Sequence, residues 1–76
     1  MPKLPSVKGK KLIKILEKVG WYLDHTQGSH YILRNENGKK LTVAVHGNSE
    51  IPKGTLLGTL NDADISKDEF ILLLKR

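Results

Sequence analysis

The feature that most constrains this chain is a hairpin. Two runs of strand character, residues 30–34 and 41–45, flank the loop Glu36-Asn37-Gly38. Both runs carry β-branched and large apolar residues, and the Asn-Gly pair between them favours a tight reversal. Side chains alternate between faces along a strand, so loop length decides which residues share a face. A two-residue turn on Asn37-Gly38 pairs Ile32 with Val43 and sets His30 on the face of Leu41, Val43 and Val45. A three-residue loop, with Gly38 in the left-handed conformation, pairs Leu33 with Leu41 and Tyr31 with Val43. This second register gathers the large apolar residues on one side. His30, Arg34, Thr42 and His46 then share the other side with Ile32 and Ala44. The three-residue loop is expected, because it leaves a single apolar face to bury.

The flanking sequence supplies what buries it. Leu12, Ile15, Leu16 and Val19 recur at helical spacing between Ser6, a good N-cap, and Gly20, a good residue just past a helix end. Residues 7–19 are therefore expected to be an amphipathic helix, with Lys10, Lys11, Lys14 and Lys18 on the arc opposite the apolar stripe. Residues 21–26 are predicted to form a short strand, broken by Gln27-Gly28-Ser29. Beyond His46-Gly47-Asn48 and Ile51-Pro52, Leu56, Leu57 and Leu60 mark a second helix over 53–62, its start compatible with proline. Gly54 and Gly58 weaken that helix by about 1 kcal/mol each relative to alanine, a pattern suited to close backbone packing or approach to a ligand. Ser66-Lys67-Asp68-Glu69 is a capping box, Ile65 and Phe70 form a hydrophobic staple around it, and a short third helix runs to Leu74. The predicted class is a two-layer α+β domain: helix, three-stranded antiparallel sheet, helix and short C-terminal helix, with the helices on the apolar sheet face.

At 76 residues the chain reads as one domain, 1–76. A domain of that size buries only roughly 60% of its unfolded surface, so a shallow working face suited to a polymer is expected rather than a deep pocket. The absence of cysteine excludes a disulfide framework and thiolate metal sites. No apolar run approaches the ~18 residues of a membrane span, so no membrane partner is expected. The stretch Met1-Pro2-Lys3-Leu4-Pro5 lacks the apolar core of a signal peptide, and the cytoplasm is the expected location. The net charge of +5 is concentrated: residues 1–22 carry +5, residues 23–60 carry +1 and residues 61–76 carry −1. Such clustering is either an electrostatic footprint for nucleic acid or a solvated, solubilising helix face.

Gly28-Ser29-His30 delivers an imidazole to the first position of the second strand. With an unperturbed pKa of about 6.5, histidine both takes and gives a proton near neutral pH. One such group on a small basic domain points to proton transfer on a phosphate backbone, RNA above all. Nucleophilic attack by Ser29 is disfavoured, since neighbours on a strand point to opposite faces. Three histidines and scattered carboxylates show no tight ligand spacing, so neither a metal nor another cofactor is expected. His25 is expected to be structural. Core packing is expected for Trp21 and Tyr31, with base stacking a further role open to Tyr22.

The order of motifs resembles the HicA toxin family, the small ribonuclease partners of HicB antitoxins in toxin–antitoxin pairs. The resemblance rests on the lysine-rich first helix ending in Val19-Gly20-Trp21, on Gly28-Ser29-His30, on the loop ending in Gly38, and on Leu41-Thr42-Val43. It continues through His46, Lys53-Gly54-Thr55-Leu56 and Glu69-Phe70. One departure is Ala44, where the family usually has proline, which bears on the strand's end and the placement of His46. The resemblance implies a fold like the double-stranded-RNA-binding domain, cleavage of messenger RNA without a metal, a HicB-type antitoxin, and a catalytic role for His30. An imidazole there can draw the proton from a ribose 2′-hydroxyl, whose oxygen attacks the adjacent phosphate; such acid–base help supplies roughly 10²–10⁴-fold. His46, a diagonal neighbour of His30 at about 7–8 Å, is a candidate second group. Lys10, Lys11, Lys14, Lys18 and Arg34 are candidate RNA contacts. Gly28 and Ser29 offer a backbone N–H or hydroxyl to phosphate, and Lys53 adds charge at a helix N-terminus. Two other readings use the same residues: a non-catalytic RNA-binding module, which needs no ionisable histidine at this position, and a protein-interaction domain whose lysines are only solubilising.

Overall fold

The computed structural model describes residues 4–75. Met1, Pro2, Lys3 and Arg76, which bear on the charge distribution and on the character of the amino end, lie outside the described residues. In chain order the elements are α1 (Gly9–Lys18), β1 (Tyr22–Gln27), β2 (His30–Arg34), β3 (Lys40–Ala44), α2 (Lys53–Asp62) and α3 (Lys67–Lys75). The strands form one antiparallel sheet in the order β1-β2-β3. Leu12, Ile15 and Leu16 of α1, Leu56 and Leu60 of α2 and Phe70 of α3 share one core with Leu33, Leu41 and Val43 of the sheet. The apolar stripes of the helices thus close over one sheet face, giving the expected two-layer α+β arrangement.

The β2–β3 register is the one that collects the apolar side chains: Leu33 pairs with Leu41, Tyr31 with Val43 and His30 with Ala44. Asn35 and Lys39 close the loop through Asn35 N–H to Lys39 O at 3.1 Å, leaving Glu36-Asn37-Gly38 between them. Gly38 has φ +81°, the left-handed conformation a three-residue loop demands. Trp21 and Val43 are buried, and Tyr31 is partly buried against the core.

Helix α1 is shorter than its periodicity predicts. Its N-cap is Lys8, not Ser6, and no side chain caps it. The reason is tertiary. Ile51 N–H donates to Val7 O at 2.9 Å and Lys8 forms an antiparallel bridge with Glu50, so residues 7–8 are held extended before the helix can begin. At its other end, Trp21 N–H bonds Leu16 O at 3.1 Å and Gly20 N–H bonds Glu17 O at 3.4 Å. That paired closure makes Trp21 part of the helix cap, so β1 starts one residue later than expected. Helix α2 occupies the predicted range. Helix α3 is capped by Ser66, whose Oγ accepts from Glu69 N–H at 3.1 Å, with Ile65 and Phe70 buried around the junction. Among the described residues, no helix is long and apolar enough to cross a membrane.

Candidate active site

His30 opens β2, directly across from Gln27 on β1 and Ala44 on β3, and is exposed. Because its neighbours Tyr31 and Leu33 face the core, His30 faces the side of the sheet that carries no helix. It is delivered by a two-residue hairpin, Gly28-Ser29, in which Gly28 alone has positive φ (+57°). Ser29 O accepts from Val45 N–H at 2.8 Å, which extends the β2–β3 pairing one step past His30 and fixes the turn against β3. Ile32, next on the same face, is only 4% exposed although it lies outside the main core. Its in-register neighbours are His25 and Thr42, so the open face has an apolar floor beside His30.

Beside Ala44 a depression of about 190 Å³ is lined by His46, Ser49, Glu50, Ile51, Pro52 and Thr55. Its rim includes the start of α2, whose N-cap Pro52 contributes no side-chain hydrogen bond. The start of α1 is close by. Gly9 is pressed so tightly on β3 that a Cβ there would lie 2.8 Å from Val45 Cγ2 and 3.2 Å from Ala44 O. Two helix N-termini with no capping side chain, and no acidic residue in either first turn, therefore converge at the His30 end of the sheet. Free N–H groups and the helix dipole make such ends favourable to anions. Lys10, Lys11 and Lys53 stand on these same first turns, where a positive charge opposes the dipole.

The sequence-predicted residues are only partly gathered. His46 lies in the turn after β3, which ends at Ala44, and lines the depression. Lys10, Lys11 and Lys14 are exposed on α1, in the helix layer, whereas His30 and Arg34 belong to the open sheet face. Lys18, at the far end of α1, donates to Leu73 O of α3 at 3.3 Å. Gly54 and Gly58 have no neighbour within 4 Å of an added Cβ, so they permit no close backbone packing; that role falls to Gly9.

Sequence reasoning missed a cluster on β1. The β1–β2 register shifts between Leu23 and His25: Leu23 pairs with Leu33, but His25 pairs with Ile32. Asp24 is the extra residue of a β-bulge, and the bulge lets two strand neighbours approach each other on one face. Asp24 Oδ2 lies 2.8 Å from His25 Nδ1 and 3.4 Å from Arg34 Nε. A carboxylate only accepts, so His25 Nδ1 carries the hydrogen of this contact and Nε2 is the nitrogen left for other partners. The hydrogen bond from His25, aided by the Arg34 guanidinium, holds the Asp24 carboxyl below the usual carboxylate range. A parity conflict in the sequence was the available signal. A two-residue Gly28-Ser29 turn without a bulge would set Asp24 on the core face opposite Leu33 and Leu23 on the polar face; one inserted residue exchanges them. Among the described residues, no group of three or more His, Cys, Asp or Glu side chains is placed to hold a metal ion.

A helix, three antiparallel strands and a helix, with a bare sheet face opening on a histidine, define a small α+β domain like the double-stranded-RNA-binding domain. The family model described as HicA toxin of bacterial toxin–antitoxin matches residues 9–65, from the first residue of α1 to Ile65, just before the cap of α3. The chain belongs to the HicA toxin family. No curated protein is similar enough to it to count as a match.

Proposed function

We propose that this chain is the toxin of a type II toxin–antitoxin pair, acting as a metal-independent endoribonuclease on messenger RNA with His30 as its acid/base group. The observation that carries this reading is an exposed histidine at the start of β2, on the helix-free face, across from Ala44, against which the uncapped starts of α1 and α2 lie. His30 takes the proton of a ribose 2′-hydroxyl, the freed oxygen bonds to phosphorus, and the bond to the 5′-oxygen breaks as that oxygen takes up a proton. The products are a 2′,3′-cyclic phosphate and a 5′-hydroxyl; DNA, lacking the attacking hydroxyl, is inert. Backbone N–H groups at the starts of α1 and α2, with Lys10, Lys11 and Lys53, hold the phosphate backbone without reading its sequence. Lys14, Lys18 and Arg34 add positive charge along the strand's path, and the Gly28-Ser29 turn borders the reacting phosphate. A HicB-type antitoxin silences the protein in the cytoplasm by covering His30.

The test is RNA cleavage by wild type and His30→Ala in excess EDTA, with end-group analysis. Cleavage by wild type alone, leaving 5′-hydroxyl ends, is expected. If both proteins bind RNA with the same salt dependence and neither cuts it, the chain is a non-catalytic RNA-binding module.

A further inference from the structure

We propose that His25, its ring fixed by Asp24, is a second catalytic residue of this site and protonates the leaving 5′-oxygen while His30 removes the 2′-proton. The inference rests on the ribonuclease reading and adds to it the group that completes the proton balance. Attack by the 2′-oxygen forms one P–O bond and breaks another. One proton must leave the 2′-hydroxyl and one must reach the 5′-oxygen. His30 acts as base for the first, and His25, entering as the imidazolium, supplies the second from Nε2. The cycle ends with the proton on His30 and His25 neutral, and exchange with water resets both.

Three observations carry this. First, the β1–β2 hairpin register places His25 across from Ile32 and Gln27 across from His30, so the two histidines are diagonal neighbours on the same open face. Diagonal positions on adjacent strands lie about 7–8 Å apart, a gap that a phosphodiester can occupy with one imidazole on each side. Second, the Asp24 Oδ2 contact at 2.8 Å holds Nδ1 and leaves Nε2 as the ring nitrogen available for proton transfer, the pattern by which a carboxylate orients an acid/base imidazole. Third, Ile32, buried to 4% exposure between them, gives the gap a dry floor, although the His25 side chain itself is 45% exposed. A ring held by a carboxylate at so exposed a place contributes little to the core. The charged or titratable groups facing His25 are Asp24 on its own strand and His30 and Arg34 on β2, with Tyr22 on β1 and Lys40 on β3 further off, each across from Arg34. His46, in the turn past β3, flanks His30 from the opposite side and is the competing donor.

The experiment uses an oligoribonucleotide in two forms, one ordinary and one with sulfur bridging at the scissile 5′ position. A thiolate leaves without being protonated, so it makes a leaving-group acid dispensable. Single-turnover cleavage of the ordinary strand by His25→Ala is expected to fall by roughly 10²–10⁴-fold. On the sulfur-bridged strand His25→Ala should run within a few-fold of wild type, whereas His30→Ala stays impaired on both. The pH–rate profile of wild type should be bell-shaped, and that of His25→Ala should lose its alkaline fall. Equal impairment of His25→Ala on the two substrates, or none on the ordinary strand, overturns the role of His25 while leaving the ribonuclease reading intact. The same holds if His46→Ala is the variant rescued by sulfur. If wild type cuts neither strand, the ribonuclease reading falls, and the role of His25 with it.

Discussion

Asp24 is contacted by His25 at 2.8 Å and by Arg34 at 3.4 Å, and both contacts favour its ionised form. A carboxyl held lower in the folded than in the unfolded chain stabilises the fold fully above the ordinary carboxylate pKa of about 3.9. That contribution is lost as pH falls through the lowered folded value. The melting temperatures of wild type and Asp24→Asn are therefore expected to differ at neutral pH and to converge under strongly acidic conditions. A difference that widened on acidification would contradict the contacts. At this scale His30 could be read from the chain, because the hairpin alternation determines its face. The Asp24–His25 pair could not be read the same way. Strand alternation separates sequence neighbours, as it does Ser29 and His30, and only the bulge reverses that rule.

Glycines in the helices separate propensity from packing. Gly9 begins α1 against Val45 and Ala44, with no room for a methyl group. Gly9→Ala should destabilise the protein by about 1–3 kcal/mol, since valine is stiff at χ1 and cannot swing clear. Gly58, in the exposed part of α2 with nothing within 4 Å, behaves oppositely. Gly58→Ala should stabilise by about 0.4–1 kcal/mol, through helix propensity and a less disordered unfolded chain. Chemical denaturation of the two variants checks both signs. Helix α1 was recognisable from its apolar spacing, but its first turn was not. Ser6 had the chemistry of a cap, yet the bridge between Lys8 and Glu50 holds that stretch extended. Helix α3 had no such competitor, and its Ser66 cap formed as the local sequence specifies.

Across the molecule, the lysines of α1 and the open sheet face belong to different layers, meeting where the two helix N-termini flank Ala44. RNA engaging both layers must pass the edge of β3. Replacing Lys10 or Lys11 with glutamine should lower the slope of log affinity against log salt by about 0.7 for each phosphate that is no longer neutralised. Lys18→Gln should change it less, because that ammonium already donates to Leu73 O at the other end of α1. Filter binding at several salt concentrations distinguishes these outcomes, and equal slopes for all the variants would remove α1 from the interface. The sequence by itself determined the element order, the β2–β3 register and the exposure of His30, because alternation, helical spacing and turn residues are local and periodic. The shortened start of α1, the meeting of two helix N-termini beside Ala44 and the Asp24–His25–Arg34 cluster were decided only by tertiary structure. Each depends on residues distant in sequence competing for the same backbone hydrogen bonds or the same sheet face, and that competition is resolved only when the layers pack.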